Sequence, residues 1–125
     1  MCPVSNVTRG EQPLNYVSTR GAAPVLAFDD VLLTGLARDG GLYVPEDWPN
    51  FSTAEIGSWR KLSYKDLAVR IIAPFVGNVA TDEDLRKIIA DAYHHFKSKD
   101  VAPLKKLGES EWIMELFHGP TLAFK

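Results

Sequence analysis

Apolar residues recur along this chain in two rhythms, one at helical spacing and one in short unbroken runs. The strongest helical stripe is Tyr64, Leu67, Ala68, Ile71, Ile72, Phe75 and Val76. Ser63-Tyr64-Lys65-Asp66 stands in front of it and resembles a capping box, with Asp in place of the usual Glu. Pro74 falls inside the stripe and predicts a kink or an early break, because proline has no backbone N–H to donate. Gly77-Asn78 closes it. A second stripe, Leu85, Ile88, Ile89, Ala92 and Phe96, follows Thr81-Asp82-Glu83-Asp84, a cap and an acidic first turn that favour the positive end of the helix. His94, His95, Lys97 and Lys99 gather at its other end, where positive charge is favoured. A shorter stripe of Val31, Leu32, Gly35 and Leu36 opens at Phe28-Asp29-Asp30, with an aspartate expected as the cap, and stops at Asp39-Gly40-Gly41. Ser52 or Thr53 is placed to cap a short helix running through Ile56 and ending near Gly57.

The strand-like runs are shorter. Tyr16-Val17-Ser18-Thr19 ends at an Arg20-Gly21 turn, and Leu42-Tyr43-Val44 is closed by Pro45. Between that strand and the Ser52 cap lies a loop in which Trp48 is expected to pack over the edge of the core. Pro103 marks a boundary. Beyond it, residues 104–107 and 112–117 predict two strands joined through Gly108-Glu109-Ser110, a hairpin. The order of elements predicts an α/β fold with three parts: a flexible extension over 1–14, a helix-and-strand domain over 15–102, and the opening strands of another domain over 103–125.

Composition narrows the function. A chain of 125 residues with 46% hydrophobic and 24% charged residues suits one soluble globular domain. The formal net charge of −2, with no basic stretch to offset it, argues against nucleic acid as the partner. Cys2 is the only cysteine, so no internal disulfide forms. One Cys with His94, His95 and His118 shows no metal-ligand spacing, and no metal is expected. No apolar run approaches the roughly 18 residues of a membrane span, and the N-terminus lacks the layout of a secretory signal.

The candidate chemistry lies in the last stretch. An apolar run leads into His118-Gly119-Pro120-Thr121, then Leu122-Ala123-Phe124, then Lys125. A lysine that follows a rigid turn and an apolar patch is well placed at the lip of a pocket. Desolvation there lowers its pKa and frees the amine as a nucleophile toward a carbonyl. Most lysines at such positions are simply solvated, so the local context has to carry the argument.

Three segments resemble the threonine synthases, in that family's order and spacing, with the nearest likeness to bacterial members. They are Tyr16-Val17-Ser18-Thr19-Arg20-Gly21, Asp39-Gly40-Gly41-Leu42-Tyr43-Val44-Pro45, and the closing Glu115-Leu116-Phe117-His118-Gly119-Pro120-Thr121-Leu122-Ala123-Phe124-Lys125. The last is the specific one, and the first two reinforce it. The resemblance implies a small N-terminal helix-and-short-strand domain of a tryptophan-synthase-β-like (fold type II) enzyme, with only the first strands of the catalytic domain present. It implies pyridoxal 5′-phosphate as cofactor, held as a Schiff base on Lys125, which is then both the catalytic and the cofactor-binding residue. The implied reaction is O-phospho-L-homoserine plus water to L-threonine and phosphate, carried out in the cytoplasm. The cofactor serves there as an electron sink, and the freed amine of Lys125 moves protons between carbons.

Neighbours of that site follow from the same motif. His118 is a candidate contact to substrate or cofactor, or a buried hydrogen-bonding histidine. Thr121 is placed to reach a phosphate or to cap a helix, and Phe124 to form pocket wall or core. Gly119-Pro120 fixes the approach to the lysine. Ser18-Thr19-Arg20 offers hydroxyls and a guanidinium suited to anions, or to structure and subunit contact. The family's acidic residue after the lysine, its glycine-rich phosphate loop and its group facing the pyridine nitrogen have no counterpart here. The expectation is an N-terminal fragment that does not catalyse alone, with the remainder of the catalytic domain as its partner. Two alternatives stay open: a threonine-synthase-like phospholyase that releases an α-keto acid, and a non-catalytic domain for packing or interaction.

Overall fold

The computed structural model of the protein describes residues 14–124. The expected extension over 1–14 therefore lies outside the described residues, apart from Leu14. The described chain runs β1 (Tyr16–Ser18), α1 (Phe28–Thr34), β2 (Tyr43–Pro45), α2 (Thr53–Ser58), α3 (Tyr64–Val76), α4 (Asp82–Ala92), β3 (Leu104–Lys106) and β4 (Trp112–Met114). A single 3₁₀ turn, Trp59–Lys61, links α2 to α3. The strands form two separate antiparallel ribbons, β1 with β2 and β3 with β4. This is the small helix-and-short-strand domain that the sequence predicts.

The centre of the molecule is the contact of α3 with α4. Val69 and Ala73 of α3 meet Leu85 and Ile89 of α4, with Ala68, Ile72 and Tyr93 packed around them. The buried side of α3 is Val69, Ala73 and Val76, of which only Val76 belongs to the stripe read from spacing, although Ala68 and Ile72 of that stripe pack beside the core. Leu67 and Ile71 turn the other way and line an apolar groove with Phe51, Ile56 and Trp59. The reason is that α3 is apolar over most of its circumference, so periodicity does not single out one face. On α4 the buried pair is Leu85 and Ile89, whereas Ile88 is 59% exposed and Ala92 faces solvent.

Helix ends follow the local chemistry closely, with exceptions at α1 and Pro74. Ser52 caps α2 and Thr81 caps α4 in full capping boxes, with Glu55 and Asp84 returning the bond to the cap backbone. At α3 the Ser63 hydroxyl accepts from the Asp66 N–H and donates to its carboxylate at 2.6 Å. The cap of α1 is Ala27, with no side-chain bond, so no aspartate caps it; Asp29 and Asp30 sit inside the first turn and act only on the helix dipole. That helix also ends earlier than predicted, at Gly35, whose φ of 70° breaks the helical path before Asp39 is reached. Pro74 does not break α3: it falls in the last turn, and the helix closes three residues later at Gly77 with φ 60°.

Tyr16 ties the first ribbon to the helices. Its backbone pairs with Pro45 on one side and Leu26 on the other. Its buried hydroxyl donates to the Phe75 carbonyl of α3 at 2.7 Å, and burial raises its pKa. Trp48 stays two-thirds exposed and lays an edge against Phe75 at 6.3 Å, so it covers the rim of the core as expected. The second ribbon has no such tie: both of its strands are exposed along their length. Among the described residues no helix is long and apolar enough to cross a membrane.

Candidate functional site

The segment that follows β4 is held in place by contacts with the stretch after α4. The Glu115 N–H donates to the Pro103 carbonyl at 3.0 Å, and the Lys97 N–H donates to the His118 carbonyl at 3.0 Å. His118 is four-fifths buried, and its Nε2 lies 2.8 Å from Glu115 Oε2. The Phe117 ring stacks at a tilt on the imidazole, 4.8 Å between centroids. His118 is thus hydrogen-bonded within its own segment. Glu115 was not singled out from the sequence, although its spacing three residues before the histidine is a usable signal.

Gly119 is buried against the tip of Phe96. A Cβ at that position would stand 2.9 Å from Phe96 Cζ, closer than real side chains approach. The chain then turns, with the Leu122 N–H bonded to the Gly119 carbonyl at 3.1 Å. Leu122 itself takes a φ of 55°, uncommon for a residue with a Cβ. Thr121 and Phe124, both exposed, meet Tyr64, Tyr93, Phe96 and Leu116 around a cleft of about 350 Å³. His118 is not part of that lining. Tyr64 and Phe96 read from the sequence only as helix-face residues and Tyr93 carries no reading there; here the three are the aromatic wall facing the terminal segment. Lys125, the residue on which the functional reading turns, lies outside the described residues.

The second candidate, Ser18-Thr19-Arg20, is committed to the chain's own turn. The Ser18 hydroxyl lies 2.8 Å from both carboxylate oxygens of Asp39. The backbone N–H groups of Ala22 and Gly41 donate to the same carboxylate at 2.9 Å. Arg20 Nη1 donates to the Asp39 carbonyl at 3.1 Å, and Thr19 Oγ1 accepts from the Leu42 N–H at 3.0 Å. A Cβ on Gly41 would land on the Ser18 hydroxyl, which explains the second glycine of the Asp39-Gly40-Gly41 run. These donors hold the Asp39 carboxyl below its usual pKa, the Gly41 N–H most of all. His94 and His95 lie past the end of α4 with their rings 5.1 Å apart, and both are exposed. No cluster of three or more metal-ligating side chains occurs among the described residues.

Architecture and terminal segment together define a small helix-and-short-strand domain that runs on into a ribbon and a held turn. The family model described as the threonine synthase N terminus matches residues 15–93, and the chain belongs to that family. It is 55% identical over 112 residues to the threonine synthase of Pseudomonas aeruginosa, covering 90% of this chain and 24% of that protein. It is 42% identical over 111 residues to the threonine synthase-like 2 protein of Rattus norvegicus, covering 88% of this chain and 23% of that one. A crystal structure of pyridoxal-phosphate-bound threonine synthase from Brucella melitensis superposes with a TM-score of 0.86 at 47% identity, over 89% of this chain and 24% of that one. The chain thus spans about a quarter of the length of the relatives it matches.

Proposed function

We propose that these 125 residues are the N-terminal part of a threonine synthase that converts O-phospho-L-homoserine and water to L-threonine and phosphate. Residues 15–102 are its N-terminal domain, and residues 103–125 open its catalytic domain. Lys125 contributes the amine that holds pyridoxal phosphate, which supplies an electron sink for carbanion chemistry when bound. The observation that carries this reading is the Glu115-to-Lys125 motif itself, entering a fixed turn against Phe96 in a chain of this family.

The described residues do not by themselves make a site for that cofactor. A phosphate needs cationic side chains or a cradle of backbone N–H groups. Among the described residues the cleft beside the terminal segment is lined by aromatic and apolar side chains and Thr121, with no cation. Those groups belong to the three quarters of the enzyme's length that this chain does not span. The chain alone is therefore inactive. Its own part is to anchor the lysine-bearing segment and to present apolar surface to the rest of the enzyme. Among the described residues eight hydrophobic side chains are buried while twenty large ones are exposed, which supports a role in packing against more protein.

The decisive experiment uses the full-length protein with Lys125→Ala. The expected result is a folded enzyme without the cofactor's visible absorbance band and with turnover reduced by several orders of magnitude. An unchanged band would refute the assignment. The second reading is a threonine-synthase-like phospholyase; the chain is less similar to the threonine synthase-like 2 protein of rat than to the bacterial threonine synthase, which favours the synthase. Product analysis separates the two: L-threonine supports the synthase, and an α-keto acid supports the phospholyase.

A further inference from the structure

Tyr64, Tyr93 and Phe96 form a column of edge-on rings, with centroids 5.2 Å and 5.0 Å apart at successive steps. The column starts at the first residue of α3, passes the end of α4 and stops at Gly119. Three ring atoms of Phe96 stand within 3.4 Å of where a Gly119 Cβ would be. Gly119 is not among the glycines with positive φ, so alanine is tolerated by its backbone, and only the ring demands glycine. One bond away, the His118 carbonyl is fixed to the Lys97 N–H, the residue after Phe96. The chain is therefore seated on the Phe96 ring by contact and by a hydrogen bond at adjacent positions. Tyr93 packs edge-on against that ring, so the ring cannot shift far without disturbing the column.

We infer that Phe96 is a positioning residue for the lysine-bearing segment, and that Gly119 is glycine so that this segment can seat on the Phe96 ring. The inference rests on the reading of Lys125 given above. Five residues separate Gly119 from Lys125, and the turn between them is closed by the Leu122-to-Gly119 bond. A shift of the segment at its seat is therefore carried toward the lysine. Misplacement of a reacting group by about 1 Å costs on the order of 100-fold in rate.

The test compares full-length wild type, Gly119→Ala, Phe96→Leu and the double variant. Three quantities are measured: the thermal midpoint of the cofactor-free protein, the cofactor dissociation constant from its visible band, and kcat/KM with O-phosphohomoserine. Gly119→Ala is expected to lower the midpoint and to weaken cofactor binding and kcat/KM by about tenfold or more. Phe96→Leu alone is expected to weaken cofactor binding and kcat/KM by more than about threefold but less than Gly119→Ala does, since it shortens the seat yet keeps it apolar, and wild-type values for it overturn the positioning role. Adding Phe96→Leu to Gly119→Ala recovers part of all three losses. A general fault at Gly119 would not be repaired from residue 96. Wild-type behaviour of Gly119→Ala overturns the inference. So does a double variant no better than Gly119→Ala in folded yield, midpoint and cofactor binding. Lys125→Ala is run beside them: if it keeps the visible band, the lysine assignment fails. Recovery of the midpoint still reports the seating of Gly119 on Phe96 separately.

Discussion

Asp39 shows how much one side chain organises here. Its carboxylate collects the Ser18 hydroxyl and the N–H groups of Ala22 and Gly41, fastening the turn after β1 to the entry of β2. A carboxyl whose pKa is lowered by folding adds stability above its unfolded pKa of about 3.9, and that stability is lost as pH falls through the folded value. Asp39→Asn is expected to lower the thermal midpoint at neutral pH by several degrees and to flatten the fall of stability in acid. A thermal melt series from pH 7 down to pH 3 on both proteins checks this; parallel curves would contradict it. Sequence reasoning takes Asp39 as a helix stop and Ser18-Thr19-Arg20 as groups for an anion or for structure and subunit contact, without pairing the two. Their meeting joins residues 21 positions apart through strand pairing, which no local pattern records. The terminal motif was easier to read, because its turn, its glycine and its histidine act within a few residues of one another. Phe96 was not read as its seat, since that contact crosses more than twenty positions.

Among the elements, the caps of α2, α3 and α4 were legible and the buried faces only in part. A cap is a bond between residues three apart, so Ser52, Ser63 and Thr81 announce themselves. A buried face depends on what lies opposite, and α3 offers apolar residues in nearly every direction. The isoleucine pair on α4 turns this into a measurement. Ile89 is 4% exposed in the core and Ile88 is 59% exposed beside it. Truncating Ile89 to Ala should cost about 2–5 kcal/mol in urea unfolding, and truncating Ile88 less than about 1 kcal/mol. Equal costs would mean that the α3–α4 contact is not the centre of stability. Thr81→Ala should cost about 1 kcal/mol through the lost capping box. The Arg86–Asp66 pair at 2.8 Å also links the two helices, but both side chains are more than a third exposed, so little stability rests on it.

At the scale of the whole molecule, the first ribbon and the helices form a unit, while the second ribbon projects Leu104, Trp112, Ile113 and Met114 into solvent. Replacing Ile113 and Met114 together by Lys should reduce self-association of the 125-residue chain in sedimentation velocity. In the full-length protein the same pair should lower the thermal midpoint by several degrees, because a covered surface tolerates no charge. If the isolated chain stays monomeric without the change, the ribbon is not the associating surface. The hairpin was readable from its Gly108-Glu109-Ser110 turn; its nakedness was not, since alternation tells which residues leave the backbone together and not what meets them. That ribbon also matters in time. The core cluster of Val69, Ala73, Leu85 and Ile89 is complete once residue 89 has been made, so a chain growing from its N-terminus can close that core early. The ribbon emerges next and waits for its cover. Lys105 and Lys106 fill two of the three positions of β3, and charge on a bare strand discourages a neighbouring chain from pairing with it during that wait.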